Sequence, residues 1–176
     1  LIAERLALTY PLSLSAMLLT VILALGLGVY AAAQHNKPGD LVIMGISQLG
    51  ISIPNFWFGL LLILLFAVNL GWFSAGGFAG WAGGPAGAMK SLILPSISLA
   101  VVQAAILARI TRSSVLEVLR EDFVRTARAK GLSRQAVLWR HVLRNALIPV
   151  ITVLGLQFGN LLTGTIVVEQ VFSLPG

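Results

Sequence analysis

This chain contains no cysteine, and it has few charged residues for its length. Because there is no thiol, disulfide bonds, thiolate metal sites and cysteine nucleophiles are all excluded. Only 10% of the 176 residues are Asp, Glu, Lys or Arg, against roughly 25% in a typical soluble domain. Hydrophobic residues make up 57%. The composition therefore predicts an integral membrane protein, and membrane topology explains the net charge of +6 better than nucleic-acid binding does.

The sequence also lacks the short motifs that carry chemistry in membrane enzymes. It has no HExxH, no GxSxG and no glycine-rich loop that ends in Lys-Ser or Lys-Thr. His35 and His141 have no metal-ligand spacing, and we interpret each as a surface histidine. No ionisable residue falls in the middle of a predicted span, which argues against a proton relay. We therefore predict no catalytic, cofactor-binding or metal-binding residue and no enzymatic activity.

Long apolar segments predict an all-α fold, a polytopic transmembrane helical bundle. A spanning helix needs about 20 residues, and four segments qualify after an amphipathic lead-in at 1–11. Residues 41–70 are too long for one straight span and too short for two, so we predict a single kinked or tilted span with Pro54 as the cause. Pro95 is placed in the first turn of the third span, and Pro149 opens the fourth. The predicted spans are 12–33, 41–70, 92–108 and 146–168.

A basic stretch fixes the orientation of these spans. Nine of the twelve Lys and Arg residues fall between Arg109 and Arg144, and basic loops between spans stay in the cytoplasm because Lys and Arg resist translocation. The loop 109–145 and the turn 34–40 are therefore predicted to be cytoplasmic. The glycine-rich loop 71–90 and both ends of the chain are predicted to lie outside. Since 96–130 contains neither Gly nor Pro, the third helix is expected to continue into the basic loop.

The basic loop has the pattern of two short amphipathic helices joined at Gly131. An apolar stripe is predicted along one helix, with favourable pairs of Glu121 and Asp122 with Arg125 on its surface. Gly131 is expected at the C′ position, and Ser133 is expected to cap the second helix. A stripe outside the membrane must be buried by a partner protein or by the chain's own helix ends. Its residues are Leu116, Leu119, Phe123 and Ala127, and the second helix carries Ala136, Val137, Trp139, Val142 and Leu143.

Several polar residues lie inside the predicted spans, where polar groups are costly and face other helices or a wet path. Two interpretations remain open: they line a translocation path, or they form hydrogen bonds that fix helix packing. Gly155, Gly159 and Thr163 form a small-residue ridge that predicts close helix packing within the subunit or across a dimer. The candidate path residues are Gln48, Ser52, Asn55, Gln103, Gln157 and Asn160.

The sequence from Arg125 to Gly131 (RTARAKG), followed by 141–149 (HVLRNALIP), resembles the EAA loop of ABC-importer permeases. The general pattern is Glu-Ala-Ala, three residues, Gly, nine residues, then Ile-x-Leu-Pro. Ala127 and Gly131 keep their places, Arg125 and Thr126 replace Glu and Ala, and Leu143 is kept after His141. These departures are typical of the dipeptide, oligopeptide and nickel permeases. The segments 50–59, 152–159 and 168–176 also resemble that family, so the likeness covers nearly the whole chain.

This resemblance implies a multi-pass subunit of the bacterial or archaeal plasma membrane. It implies a six-span permease of which the chain, expected to be an internal fragment, lacks the first and last spans. The whole of 1–176 is then a single transmembrane permease domain surrounded by membrane lipid. The implied partners are a homologous second permease, two cytoplasmic ABC ATPases and an extracytoplasmic solute-binding protein, with no nucleic acid and no cofactor. The loop 109–145 would dock on an ATPase and transmit its closure.

The leading hypothesis is thus import of a peptide or similar solute, driven by ATP hydrolysis in a partner. A self-contained secondary transporter or channel would predict buried charges or inverted repeats, and neither is found. A membrane scaffold would leave the ordered basic loop unexplained, and an intramembrane hydrolase would need a nucleophile and base that are missing.

Overall fold

The computed structural model describes residues 2–78, 80–81 and 84–175. Within these ranges the chain forms helices joined by turns, and it contains no strand. Ala79 in the predicted outer loop and Gly176 at the end of the last motif lie outside the described residues. The helices are α1 (Ile2–Ala33), α2 (Pro38–Ser52), α3 (Asn55–Leu62), α4 (Pro85–Val118), α5 (Asp122–Ala129), α6 (Arg134–Val137) and α7 (Leu143–Val171).

Two π-helical stretches extend these helices. Ile63–Asn69 continues α3, and Leu138–Val142 joins α6 to α7 in one continuous helical run. Three helical runs, containing α1, α4 and α7, are long and apolar enough to cross a membrane, and the pair α2 and α3 forms a fourth candidate. The predicted all-α membrane bundle is confirmed.

The spans alternate in direction, and α4 is the helix on which the others pack. Ser15 Oγ lies 2.7 Å from Ser96 Oγ, while Gly28 lies against Thr111. Both residue numbers rise together in these two contacts, so α1 and α4 run parallel. The long helix α7 runs the other way, because Gln157 donates to the Gln103 carbonyl and the later residue Glu169 accepts from Thr9.

The second traverse breaks at Ile53 and Pro54. Both residues have extended backbone, with ψ of 123° and 139°, because proline lacks an amide donor and disfavours helical geometry in the residue before it. The helices on either side differ in direction by 102°. Pro54 therefore marks the interruption as predicted, but the single kinked helix is replaced by two short helices.

The two short helices nevertheless make one traverse along α4. Their contacts move from one end of α4 to the other as the chain advances, which describes an antiparallel neighbour. The contacts in order are Asp40 with Arg112, Gly50 with Ala105, Asn55 with Ser98, and Phe73 with Lys90. We call the end of the bundle near 34–37 and 119–133 the basic end and the end near 71–84 the glycine-rich end.

Proline positions differ from the prediction in all three long helices. α1 begins at Ile2 and continues through Pro11, so the lead-in 1–11 is not a separate element. Pro95 lies in the third turn of α4, because that helix begins at Pro85 rather than near residue 92. Pro149 lies in the second turn of α7. Prolines within membrane helices are tolerated where neighbouring groups satisfy the freed carbonyls.

One of these freed carbonyls has a visible partner. Pro11 has no amide hydrogen, so the Ala7 carbonyl four residues earlier loses its helical donor. The indole Nε1 of Trp81 in the glycine-rich loop donates to that carbonyl at 3.2 Å. This bond satisfies the carbonyl and links the glycine-rich loop to α1.

The buried apolar residues form three clusters along the bundle. The cluster at the glycine-rich end is built around Leu12, Leu99, Leu161 and Phe172, and a small middle cluster around Leu107 and Val150. The third cluster joins the basic loop to α1, α4 and α7 at the basic end of the bundle, and we call it the loop cluster. It consists of Ala32, Val115, Val124, Ala127, Val137, Val142, Leu143 and Ala146.

Candidate coupling loop and translocation path

The loop cluster shows that the chain's own helix ends bury most of the predicted stripe. Leu116 and Leu119 pack against this cluster, and Ala127 belongs to it. Phe123 was expected to be buried but is 41% exposed, while Val124 is fully buried. The reason is that α4 ends at Val118 and α5 begins at Asp122, so the stripe does not lie on a single helix.

The turn at Gly131 has the predicted geometry. Gly131 has φ +82°, its amide donates to the Arg128 carbonyl at 3.0 Å, and the Leu132 amide donates to the Ala127 carbonyl at 3.4 Å. This pair of bonds is the Schellman motif, in which a residue with positive φ closes the end of a helix. Ser133 Oγ accepts from the Ala136 amide at 3.2 Å, which confirms the predicted cap.

Three large apolar side chains of this loop remain exposed. They are Phe123 at 41%, Leu132 at 39% and Trp139 at 68%. Trp139 also lines a cavity of about 770 Å³ between α1 and α7, together with Tyr30 and Arg144. The loop therefore has a buried side, formed by the loop cluster, and an exposed side that carries apolar residues and positive charges.

Some of the remaining predicted loop residues are exposed and others are buried against the helix ends. Arg125 is exposed and bonds to Asp122 at 3.4 Å, an exposed pair that contributes little to stability. Thr126 Oγ1 donates to the Asp122 carbonyl. Leu143 is buried in the loop cluster, whereas His141 is half-buried and its carbonyl accepts from the Asn145 side chain.

The predicted path residues do not form one connected set: Gln48 with Ser52, Asn55, and Gln103 with Gln157 make separate contacts. Gln48 and Ser52 are exposed on α2, and Ser52 Oγ donates to the Gln48 carbonyl. Asn55 is separated from them by the break at Ile53 and Pro54. Its backbone carbonyl accepts a hydrogen bond from Ser98 Oγ at 2.7 Å. Gln157 and Asn160 do not share an environment, since Gln157 is buried and Asn160 is exposed.

The pair of Gln103 and Gln157 joins α4 to α7 inside the bundle. Gln157 Nε2 donates to the Gln103 carbonyl at 3.2 Å, which is a packing contact of the kind that links membrane helices. Gln157 Oε1 is buried without a hydrogen-bond partner among the described residues.

A buried ion pair is the main feature that sequence reasoning missed. Asp40 is 1% exposed, and it accepts from Arg112 Nε and Nη2, each at 2.6 Å, and from the Asn36 amide at 3.0 Å. His35 is exposed, as expected of a surface histidine, and its Nδ1 lies 3.1 Å from Arg112 Nη2. The bidentate geometry fastens α2 to the basic end of α4. The sequence signal that could have predicted this pair is an acid, Asp40, and a base, Arg112, at the adjoining ends of neighbouring spans.

Two further polar contacts were also missed. Arg109 Nη1 donates to Gln48 Oε1 at 3.0 Å, across the contact between α4 and α2. At the glycine-rich end, Thr9 Oγ1 donates to Glu169 Oε1 at 2.7 Å, and Glu169 is only 4% exposed. Both contacts link residues that are remote in sequence, so no local pattern could indicate them.

The chain belongs to the family of binding-protein-dependent transport system inner membrane components, whose model matches residues 24–176. It is a multi-pass protein of this inner-membrane class, in agreement with the resemblance in the basic loop. The crystal structure of an amino acid ABC transporter with histidines matches 97% of this chain and 74% of that chain, with a TM-score of 0.60 at 18% identity. At that identity the match shows a common fold.

Two bacterial relatives are more similar in sequence. The chain is 46% identical over 188 residues to a di/tripeptide transport system permease protein of Pseudomonas aeruginosa, covering 96% of this chain and 56% of the relative. It is also 46% identical over 175 residues to a glutathione transport system permease protein of Escherichia coli, covering 99% and 55%. The chain thus spans little more than half the length of these relatives. Both relatives are named as transport permeases.

Proposed function

We propose that this chain is part of the permease subunit of an ABC importer and forms the path for peptides or a similar small solute. The basic end faces the cytoplasm in this proposal, and the glycine-rich end faces outward. A second permease, two ATPases and a solute-binding protein complete the transporter. The names of the relatives support the peptide class of cargo.

The exposed side of the basic loop carries the proposal of ATPase coupling. Leu132, which follows the Gly131 turn, is exposed, as are Phe123 and Trp139 in the helical segments before and after it. Exposed apolar groups among charges are typical of a protein contact. The opposite side of the loop packs on the ends of α1, α4 and α7. Because the interior is close-packed, a force on the loop would displace these helix ends, and the movement would reach the path.

The turn at Gly131 provides the test of coupling. A Cβ at this position meets no atom within 4 Å, so a substitution acts through the backbone alone. A left-handed conformation costs an L-residue roughly 1–2 kcal/mol, and a β-branched residue adopts it least readily. We expect Gly131→Val to leave membrane insertion intact, because no span is altered, but to reduce ATP-driven uptake severely.

The measurement is uptake of a labelled dipeptide, tripeptide or glutathione, together with ATP hydrolysis, by the complete transporter in vesicles. Gly131→Asn is the matched control, since asparagine tolerates positive φ, and it should retain most of the uptake. Co-purification of the ATPases would separate loss of docking from hydrolysis without import. Normal uptake by the Gly131→Val transporter would remove the loop from the mechanism.

A further inference from the structure

The basic half of α4 has an uncovered face in a groove beside α2. At the glycine-rich half, α3 packs against both α4 and α7, whereas at the basic half α2 packs against α4 and α1. The face of α4 that includes Gln103, Arg109 and Ser113 is therefore half-buried or exposed. The groove along α4 is closed toward the glycine-rich end and open toward the basic end.

Arg109 is the charged residue of that groove. It lines a shallow cavity of about 300 Å³ with Ser113 and three isoleucines, Ile51, Ile106 and Ile110. Gln48 Oε1 accepts one hydrogen bond from Arg109 Nη1 and so holds the guanidinium on the groove side of α2. Among the side chains that the structure describes, no carboxylate lies within ion-pair distance of Arg109.

Arg112 lies one turn further along α4, and its hydrogen-bond partners differ from those of Arg109. The Nε and Nη2 atoms of Arg112 are both bonded to the buried carboxylate of Asp40, so this arginine serves the packing of α2. Arg109 has five N–H donors, and Gln48 accepts one of them. Its remaining donors point to an anionic ligand from outside the described chain.

We propose that Arg109, positioned by Gln48, binds a carboxylate of the cargo in the basic half of the path. This inference rests on the proposed function. Every linear peptide with a free C-terminus carries a carboxylate, and a guanidinium matches its two oxygens in a forked arrangement. The three isoleucines that line the cavity can contact the apolar parts of many different peptide side chains. The subsite therefore recognises the group that peptides share and tolerates the groups that vary.

A first test measures whether the groove attracts anions, without the need for transport. This chain contains no cysteine, so Ser113→Cys, made in a subunit freed of any cysteine outside these residues, places one thiol beside Arg109. We expect an anionic methanethiosulfonate to react faster, relative to a neutral one of similar size, than it does after Arg109→Gln. At a separation near 6 Å and a water-like dielectric, the ratio should fall by roughly threefold or more. A thiol at position 113 that fails to react, or a ratio that Arg109→Gln leaves unchanged, would overturn the proposal.

Asn160→Cys is the matched control. The contact of Gln157 with Gln103 sets a common level on α7 and α4. Arg109 lies six residues from that level toward the basic end, and Asn160 lies three residues from it toward the glycine-rich end, because α7 runs antiparallel to α4. The two positions are therefore about 13 Å apart along the helices. This exceeds the screening length of about 8 Å at physiological salt. The ratio measured for the Asn160→Cys variant should therefore not respond to Arg109→Gln.

A second test uses the complete transporter with the binding protein saturated by each peptide, which removes the selectivity of that partner. Uptake of a peptide with a free C-terminal carboxylate should exceed uptake of its amide by roughly tenfold, as expected for a hydrogen bond to a charged group. Arg109→Gln should abolish the difference, and Arg109→Lys should restore part of it. Gln48→Glu should also abolish it, because the new carboxylate would occupy Arg109.

The outcomes separate this inference from the proposed function. If the unaltered transporter imports no peptide with ATP, the proposed function fails, and the thiol ratio alone decides whether Arg109 attracts anions. If both peptides are imported equally and Arg109→Gln changes nothing, the carboxylate subsite fails while the importer stands. If vesicles with anionic phospholipid lose the thiol selectivity that neutral vesicles show, a lipid phosphate occupies Arg109 and the cargo assignment is overturned.

Discussion

Helices α4 and α7 are both long and apolar, yet they occupy opposite situations in the described chain. In the most apolar part of α4, 61% of the residues are buried, against 22% in the helical run Arg134–Val171 that contains α7. α4 packs against α1, α2, α3 and α7. α7 exposes a face that includes Ile148, Ile151 and Leu156, each more than 60% accessible (64%, 63% and 68%). Apolar content thus says that a helix enters the membrane but not where it lies in the bundle.

The two helices also differ in how their neighbours use the small residues. Where α1 meets α4, Gly28 allows an approach at which a Cβ would lie 2.7 Å from the Ala108 carbonyl. On α7, Gly155 and Gly159 meet nothing within 4 Å, and Thr163 is exposed. The predicted ridge therefore does not pack within the described chain. A small residue fixes packing only when a neighbour uses the space it leaves.

The largest effect on the packing of α4 is expected from the loss of Asp40. Removing one partner of a buried ion pair typically costs about 3–5 kcal/mol, and the low end applies because the Arg112 side chain is 22% exposed. Asp40→Ala should lower the free energy of unfolding in detergent accordingly. The double variant with Arg112→Met should recover much of the loss, since no unpaired charge remains. A double variant as unstable as the sum of the single variants would contradict the pairing.

Gly28→Leu should be the next most harmful change. The new side chain would meet Thr111 and the Ala108 backbone, and overpacking of this kind costs about 1–3 kcal/mol and occasionally more. The matched control is Gly26→Leu on the same helix, where a Cβ meets nothing within 4 Å. Thermal unfolding of the two purified variants provides the comparison. Equal stability would show that α1 and α4 are not closely packed at Gly28.

The smallest effect is expected on α7. Gly155→Leu changes an open position, so the free energy of unfolding of the separate subunit should move by no more than about 0.5 kcal/mol. The same substitution at Gly59, where a Cβ would lie 3.0 Å from the Phe172 ring and 3.1 Å from Ser98 Oγ, should be clearly destabilising. If Gly155→Leu is as harmful as Gly59→Leu, the open face of α7 is covered by something the described chain does not contain.

Periodic and local signals predicted much of this structure. The apolar spans, the interruption at Pro54, the turn at Gly131 and the cap at Ser133 all depend on local sequence, and their positions agree with the structure. At Pro54 the predicted kink proved to be a complete break between two helices. The starts of α1 and α4 were missed because hydropathy marks the apolar part of a span. The helices themselves begin earlier, in more polar sequence, at Ile2 and Pro85.

The contacts of the candidate site were less predictable because they join distant segments. Gln48 and Ser52 were found as polar residues of a span, but Arg109 was assigned to the basic loop and not to Gln48. Phe123 was placed on the buried side because the stripe was counted through the end of α4 at Val118, where the helical repeat stops. Charge patterns indicated the orientation of the loop, whereas pairing required the relative positions of α2 and α4.

The proline at position 11 makes α1 dependent on a remote part of the chain. A helix interrupted in this way usually has an unsatisfied carbonyl, and in hydrocarbon that group cannot turn to water. Here the donor, Trp81, is 74 residues away. The end of α1 beside the glycine-rich loop should therefore become fully ordered only when that loop is in place, so the two should gain protection from hydrogen exchange together as one cooperative unit. A local defect in one helix thus makes two distant segments depend on each other for their order.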